Sequence, residues 1–493
     1  MKKGSVRLIL LILLLIFIFL IFVGCGNGSG EDGTVSGFST EGAPTEQTTE
    51  EFTEATERKE DTTEETSDEN ITTEAFTTEE ITTEEITTEE ATVEEITTEE
   101  PSLLDYEINV PELDPLMHNM LEGNIMTGES VMFIDYGDKK SLMFYADEII
   151  SVTSYDGLVT YTEGVDYALE NGMIVLLEGS SIPCITSEVY YNNTSSNYLT
   201  MEHDGKICNV YWGEGRTMTQ WQVNVTYAHS DVWEGFVQES SIEIYKPFLD
   251  KLCRGEDVTV FFYGDSITRG ANSSLFVGHE PYQPDYTKLF VYALADLFDY
   301  KVEHIHTGLE KTFSEDVPTY NDGEDARGTI TYINSSVGGW DCAGALNNVQ
   351  KYVCDVIDEY GCDLFVLAFG MNNGTTKAKT YQTYTKQTVG EVLKVAPDTA
   401  LMLVSTMVSN PYDTDSGKNQ ILFEEPLLAM ATSYTRAGTP CATVLMGSMS
   451  EAVLEHKAFN DYAANNINHP NDFFMRVYAQ TLFQTLIGYE NIK

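Results

Sequence analysis

The chain is 493 residues long, 42% hydrophobic and 11% aromatic, with 79 acidic against 27 basic side chains and a formal charge of −52. That apolar share suffices for a sizeable core. An acidic excess this large repels nucleic acid and anionic lipid surfaces, and a neutral substrate is the easier match. The charge is divided: residues 31–100 hold 25 acidic and 2 basic side chains, and residues 101–493 hold 54 against 22.

Residues 1–25 read as an export signal. Lys2, Lys3 and Arg7 precede an unbroken apolar run from Leu8 to Val23, which is followed by Gly24-Cys25. The run is shorter than the ~20 residues a membrane-spanning helix needs. A small residue before cysteine at this point resembles the lipobox of bacterial lipoproteins, although Phe22 stands where leucine is usual. The resemblance implies lipidation at Cys25, a membrane anchor and a location at the cell surface; the alternative is an uncleaved anchor.

Residues 26–104 are expected to form an extended stalk. They pass from Gly/Ser-rich to Thr/Glu-rich, and Ile71–Glu100 repeats a pentad of the form Ile-Thr-Thr-Glu-Glu. Such a segment has too little apolar surface to offset its ordering entropy, and its charges repel. Fully stretched it would reach on the order of 260 Å.

From 105 to 241 the pattern is short strands and turns. Trp221–Tyr227 alternates as a half-buried strand should, and Ser130–Ile134, Met173–Leu177 and Glu188–Tyr191 read as further strands. No helical period persists, so an all-β, antiparallel sandwich of jelly-roll type is expected. Trp212, Trp221 and Trp233 read as core anchors, with a sugar-stacking platform as the alternative.

After Ile242 the grammar changes. Tyr245–Leu252 reads as a short helix ending near Gly255. Phe290, Ala293, Leu294, Leu297 and Phe298 form one face of a second helix, and Leu346, Val349, Val353, Val356 and Tyr360 of a third. Strand candidates at Val258–Phe262, Lys301–His306, Thr329–Asn334, Leu364–Phe369, Leu401–Ser405 and Ala442–Met446 alternate with helices, which predicts a parallel sheet covered on both faces over 242–493. Residues 308–328 read as an acidic insertion at the sheet's edge.

Cysteine usage gives no metal signature: Cys184, Cys208, Cys253, Cys342, Cys354, Cys362 and Cys441 show no close pair and no histidine at ligand spacing. No cofactor is implied. Cys184 and Cys208 could pair or remain free thiols.

Four segments carry the chemistry. The strand Val258–Tyr263 ends abruptly at Gly264-Asp265-Ser266, which presents Ser266 as a nucleophile at a sheet's carboxyl edge. Alone this tripeptide is weak, since roughly one chain in ten of this length would hold it by chance. Asn334–Trp340 follows a strand and contains Gly338-Gly339. Phe365–Asn373 is a buried strand ending in Gly370-Met371-Asn372. Asn466–Asp472, with His469, precedes a last helix.

In this order the blocks resemble those of the SGNH (GDSL-type) hydrolases, over residues 250–490 or so. The resemblance implies a three-layer α/β/α, flavodoxin-like fold with Ser266 as nucleophile and His469 as base. It also implies an oxyanion hole from the backbone N–H groups of Ser266 and Gly339 and the side-chain amide of Asn372. Asp265 would brace the turn, and His279, His304 and His306 are the rival bases. Two positions depart from the family. Asn466 stands where an aspartate usually orients the histidine, so His469 would be oriented by a backbone carbonyl or by a carboxylate from elsewhere. Asp472 is the candidate nearest in sequence. Asn373 replaces a common aspartate. Trp340 and Tyr282 are candidate pocket walls.

The expected function is a surface-tethered esterase removing acetyl groups from polysaccharide. An inactive carbohydrate-binding lipoprotein, motivated by Asn466, and a lipase acting on longer acyl chains are the alternatives.

Overall fold

The computed structural model describes residues 113–192, 199–307, 319–323, 325–414 and 417–492. The export signal, the lipidation site at Cys25, the stalk and most of the expected insertion at 308–328 lie outside the described residues.

The framework is a six-stranded parallel sheet. In chain order the antiparallel region supplies β1 (Ile125–Met132), β2 (Lys139–Lys140), β3 (Ala146–Ser154), β4 (Tyr167–Glu170), β5 (Met173–Leu176), β6 (Leu199–His203), β7 (Lys206–Val210) and β8 (Gln222–His229). The parallel sheet is built from β9 (Val258–Gly264), β10 (Tyr300–Ile305), β11 (Gly328–Asn334), β12 (Leu364–Ala368), β13 (Ala400–Val404) and β14 (Cys441–Val444), in spatial order β10-β11-β9-β12-β13-β14. Its first strand is therefore internal. From β9 the chain crosses to the edge strand β10, steps back inward to β11 beside β9, and then passes to the other side of β9 for β12. That reversal makes the carboxyl end of β9 the switch point, where open α/β sheets leave a crevice.

β9 is buried along its whole length, which explains its continuous apolar run. Its side chains alternate between two cores. Val258, Val260 and Phe262 join Tyr245, Leu252, Phe290, Leu294 and Phe483 from helices Ile242–Arg254, Tyr286–Phe298 and Asp472–Leu486. Phe261 and Tyr263 join Val349, Val353, Val389 and Leu427 from helices on the opposite face. This is a three-layer α/β/α fold. The expected end of the first helix is seen at Gly255, with φ 75°, whose N–H returns to Leu252.

The antiparallel region comprises the sheets β1-β8-β3 and β2-β5-β4 and the hairpin β6-β7. One expected strand is instead a helix: Ser187–Tyr191 is helical, capped by Thr186, whose hydroxyl accepts from the N–H of Val189. Its burial pattern follows one residue, Tyr190, rather than alternation. Trp233 is buried, bonded to the Phe236 carbonyl and edge-on to Phe144. Trp212 and Trp221 are partly buried against the core around Met132, Tyr190 and Met218. All three tryptophans thus serve packing. All seven described cysteines are free, Cys184 and Cys208 included.

The change of grammar near residue 242 is not a break in packing. Phe133, Val225 and Tyr227 share one apolar cluster with Phe262 and Phe483. Polar contacts cross the same boundary. Asp461 accepts from the Met132 N–H at 2.9 Å, and Gln222 donates to the carbonyls of Asn460 and Ala463 at 2.8 and 2.9 Å. Arg476 donates to the Thr127 carbonyl at 2.8 Å, and Lys457 pairs with Glu129, both fully buried. Every one of these contacts lands on the segment that surrounds His469.

Candidate active site

Ser266 sits two residues past β9. Asp265 Oδ1 accepts from the Ile267 N–H at 3.0 Å, and the Ser266 carbonyl accepts from Ala271 N–H at 2.9 Å, closing a tight turn. Both neighbouring strands fasten it. Thr268 Oγ1 donates to the Ala368 carbonyl at the end of β12, and Asn334 at the end of β11 donates to the Thr268 carbonyl at 2.8 Å. Gly264 is required by close approach: a Cβ there would stand 2.1 Å from Thr268 Oγ1 and 2.6 Å from the Ala368 carbonyl oxygen. Asp265 is buried and has the bracing role expected of it. Burial pushes its carboxyl up to about 6, against the Ile267 N–H and the charge of His469.

The two expected oxyanion elements follow the strands that flank β9. After β11, Ser335 and Val337 donate to the carbonyls of Phe262 and Gly264, which draws the loop across the nucleophile turn. A Cβ on Gly338 would lie 3.6 Å from Ser266 Cβ. Gly339 is exposed, with φ +80°, and the turn's own hydrogen bond runs from Trp340 to Val337, leaving the Gly339 N–H outside it. After β12, Asn372 is exposed and donates one amide hydrogen to the Trp340 carbonyl at 2.9 Å. That bond ties the two loops together and leaves the second amide hydrogen available. Asn373, by contrast, is buried and accepts from the Cys342 N–H at 3.0 Å. Its role is to hold a helix start.

His469 comes from the loop between the short helix Phe459–Tyr462 and the helix Asp472–Leu486. Its Nε2 is 2.8 Å from Ser266 Oγ. Its Nδ1 faces two acceptors at 3.1 Å, Glu214 Oε2 and Asn272 Oδ1. Two acceptors around Nδ1 place the ring proton there, so that Nε2 receives from the serine hydroxyl. Two of the rivals are engaged elsewhere: His304 with the Tyr292 hydroxyl at 3.0 Å, and His279 with the Glu280 carbonyl.

Neither residue expected to orient His469 does so. Asn466 is fully buried at φ 64° and donates to the Tyr190 hydroxyl and the Tyr211 carbonyl, both at 2.9 Å. It pins the loop from behind. Asp472 Oδ1 accepts from the Ser274 N–H at 2.8 Å, and burial pushes its carboxyl up to about 6. Neither of its oxygens is among the partners of the His469 ring. The residue that sequence reasoning missed is Glu214, 255 positions before His469 and in the antiparallel region. Burial works against its charge, but the hydrogen bond and charge of His469, with the amide of Asn465, outweigh it and hold the carboxyl below the usual glutamate range.

A pocket of about 230 Å³ opens beside Asn372, lined by Met371, Thr375, Ser409, Gln420, Ile467 and Asn468. It lies between the amide donor and the histidine loop. Trp340 is half-buried, edge-on to Tyr352, and Tyr282 is 48% exposed; neither lines this pocket. A larger cavity of about 780 Å³ between Met120, Trp233, Val477 and Tyr489 contains none of the site residues. Chemistry, not size, locates the site.

No family model matches the sequence, and no curated protein matches it. Solved structures do. A two-domain esterase active on acetylated mannans, crystallised with mannopentaose, is 16% identical, with a TM-score of 0.35 over 50% of this chain and 54% of that one. The chain thus spans about half of that esterase. A lipolytic protein of the G-D-S-L family from Veillonella parvula is 12% identical, with a TM-score of 0.31 over 46% of this chain and 97% of that one. A carbohydrate esterase of family 3 from Talaromyces cellulolyticus is 14% identical, with a TM-score of 0.31 over 46% and 97%.

Proposed function

We propose that this protein is a serine esterase of the SGNH type that removes small acyl groups, acetyl above all, from polysaccharide. The observation that carries the reading is the 2.8 Å contact between Ser266 Oγ and His469 Nε2 at the switch point of the sheet. In the reaction Ser266 Oγ bonds to the ester carbonyl carbon while its proton passes to Nε2. The carbonyl oxygen becomes an oxyanion, for which the N–H groups of Ser266 and Gly339 and the free amide hydrogen of Asn372 are the donors. As the bond to the sugar oxygen breaks, the imidazolium returns its proton to that oxygen. Water then attacks the acyl-serine by the same route in reverse and releases the carboxylic acid.

The acidic excess of residues 101–493 favours a neutral polymer over an anionic one as the substrate. The inactive alternative rested on Asn466, and with Asn466 turned to Tyr190 nothing in the site favours it. Attachment through Cys25, on a stalk that carries the enzyme out to its polymer, completes the proposal and rests on the sequence of residues 1–104.

The test is acetate release from p-nitrophenyl acetate and from a series of acetylated glycans. Ser266→Ala should abolish it while leaving thermal unfolding within a degree or two. Turnover within tenfold of the parent in that variant, or none by the parent on any acetyl ester, would overturn the reading.

A further inference from the structure

We propose that Glu214, carried by the antiparallel region and not by the α/β fold, is the carboxylate that positions His469 and offsets its charge, so that the working site is assembled from both parts of the chain. The inference rests on the Ser266–His469 reading and goes beyond it.

The placement is built, not incidental. Glu214 stands between Gly213 and Gly215, and Gly215 has φ 68° and ψ −129°, a conformation essentially reserved for glycine. The Glu214 carbonyl accepts from Thr217 Oγ1 at 2.8 Å, and Arg216, two residues on, stands 3.5 Å from Asp156. The loop also reaches the histidine loop directly, through Gly213 N–H to the Asn465 carbonyl at 3.4 Å.

Asn465 joins the two halves. Its Oδ1 collects the N–H groups of Ile467, Asn468 and His469 at 2.9–3.0 Å, which fixes the backbone that presents the imidazole. Its Nδ2 donates to Glu214 Oε1 at 3.1 Å, leaving Oε2 for His469 Nδ1 at 3.1 Å. One buried amide therefore sets the ring and the carboxylate in a common frame.

Asn272 Oδ1 reaches the same nitrogen from the α/β side. A neutral amide oxygen can hold the tautomer, but only an anion offsets the charge that the ring gains when it takes the serine proton. Both acceptors therefore share the orienting of the ring, while Glu214 alone of the two supplies charge. The charge of His469 also acts on the buried carboxyl of Asp265, which precedes the serine.

The experiment compares Glu214→Gln, Glu214→Asp, Asn272→Ala, Ser266→Ala and His469→Ala in the full chain, on p-nitrophenyl acetate across pH. The Glu214 side chain is 55% exposed, so its replacement should leave the unfolding temperature close to the parent's. Glu214→Gln should lower kcat by about 10²-fold with KM little changed. That falls short of the about 10⁴-fold lost when a triad carboxylate is neutralised and the tautomer inverts, because Asn272 still accepts from Nδ1. The acidic limb of its kcat/KM profile should move to lower pH, since the ring loses the anion that favours its protonation. Glu214→Asp should recover part of kcat and return the limb toward the parent's. Asn272→Ala should lower kcat without moving the limb.

Glu214→Gln within threefold of the parent and with an unmoved limb, while Ser266→Ala and His469→Ala are inactive, would overturn the assignment and leave a Ser266–His469–Asn272 relay. Activity surviving in Ser266→Ala would instead overturn the reading of the site itself. Should Glu214→Gln fold poorly, the low-field proton resonance of His469 Nδ1–H in Glu214→Asp decides: a shift relative to the parent supports the contact, and an unchanged resonance opposes it.

Discussion

Ser266 and His469 meet because the residues around them leave few alternatives. Gly264 admits the crossing of Thr268 and Ala368, and Asn465 binds three successive N–H groups. Asn372 is restrained by one amide hydrogen only, so Asn372→Ala should lower kcat by about 10²–10³, the loss typical of an oxyanion donor, with stability nearly unchanged. A loss below threefold in steady-state turnover would place the hole elsewhere. Gly339 does not admit the simplest test of its N–H: at φ +80° proline would break the turn as well as remove the donor. The buried carboxyls make a prediction about pH. Burial raises Asp472 to about 6, above the ordinary value of about 4, so the folded chain holds this proton where the unfolded chain has lost it. Its contribution to stability is therefore fully present below about pH 4 and is lost as pH rises through about 6. Asp472→Asn keeps the acceptor for Ser274 and cannot ionise. Its stability should fall less between pH 4 and 7 than the parent's, by on the order of 2–3 kcal/mol, as denaturant titrations at several pH values would show. Identical slopes would mean that the charge is compensated in the fold.

At the scale of elements, Ser266 follows β9, and the loops bearing Gly339 and Asn372 follow its two neighbours β11 and β12, so three adjacent strand ends carry the residues of the proposed site. The histidine loop has no strand beneath it. It is held by β1 and β8 through Met132 and Gln222, and by the buried pair Lys457–Glu129, where Glu129 also accepts from the Tyr227 hydroxyl at 2.6 Å. Removing one partner of such a pair leaves an uncompensated charge. Lys457→Met should destabilise by about 3–5 kcal/mol, and Glu129→Gln in the same chain should restore most of that loss. Thermal unfolding of the single and double variants measures it, and additive losses would show that the two side chains act independently.

At the scale of the whole molecule, the antiparallel region and the α/β sheet pack as one body. The antiparallel region brings Glu214 to within hydrogen-bonding distance of His469. Residues 30–100 stand in contrast, since repeats so rich in threonine and glutamate offer no apolar face to bury. Deleting them should leave kcat and KM on p-nitrophenyl acetate unchanged in the purified enzyme. In cells the same deletion should slow deacetylation of large external polymers more than that of small esters. Loss of activity on the small ester would mean that the stalk belongs to the fold.

The sequence by itself determined the parallel sheet and three of its strand ends. A strand buried on both faces must be continuously apolar, and the glycines that break such runs at Gly264, Gly338–Gly339 and Gly370 mark where backbone turns toward a site. The pairing of Ser266 with His469, which the fold brings to 2.8 Å, was legible for that reason and from the order of the blocks along the chain. What orients the histidine was not. Asn466 and Asp472 were the residues nearest to His469 in sequence, but each is claimed by packing: Asn466 by Tyr190 and Tyr211, Asp472 by Ser274. Glu214 had no local signal beyond its two flanking glycines, because a hydrogen bond across 255 residues leaves no trace in periodicity or propensity. The helix at Ser187–Tyr191 was hidden for a related reason. Val189, Tyr190 and Tyr191 favour a strand, and the helical turn is held by tertiary and capping contacts: the Thr186 cap, Ser187 N–H to Asp135, Tyr190 with Asn466 and Tyr191 stacked on His203.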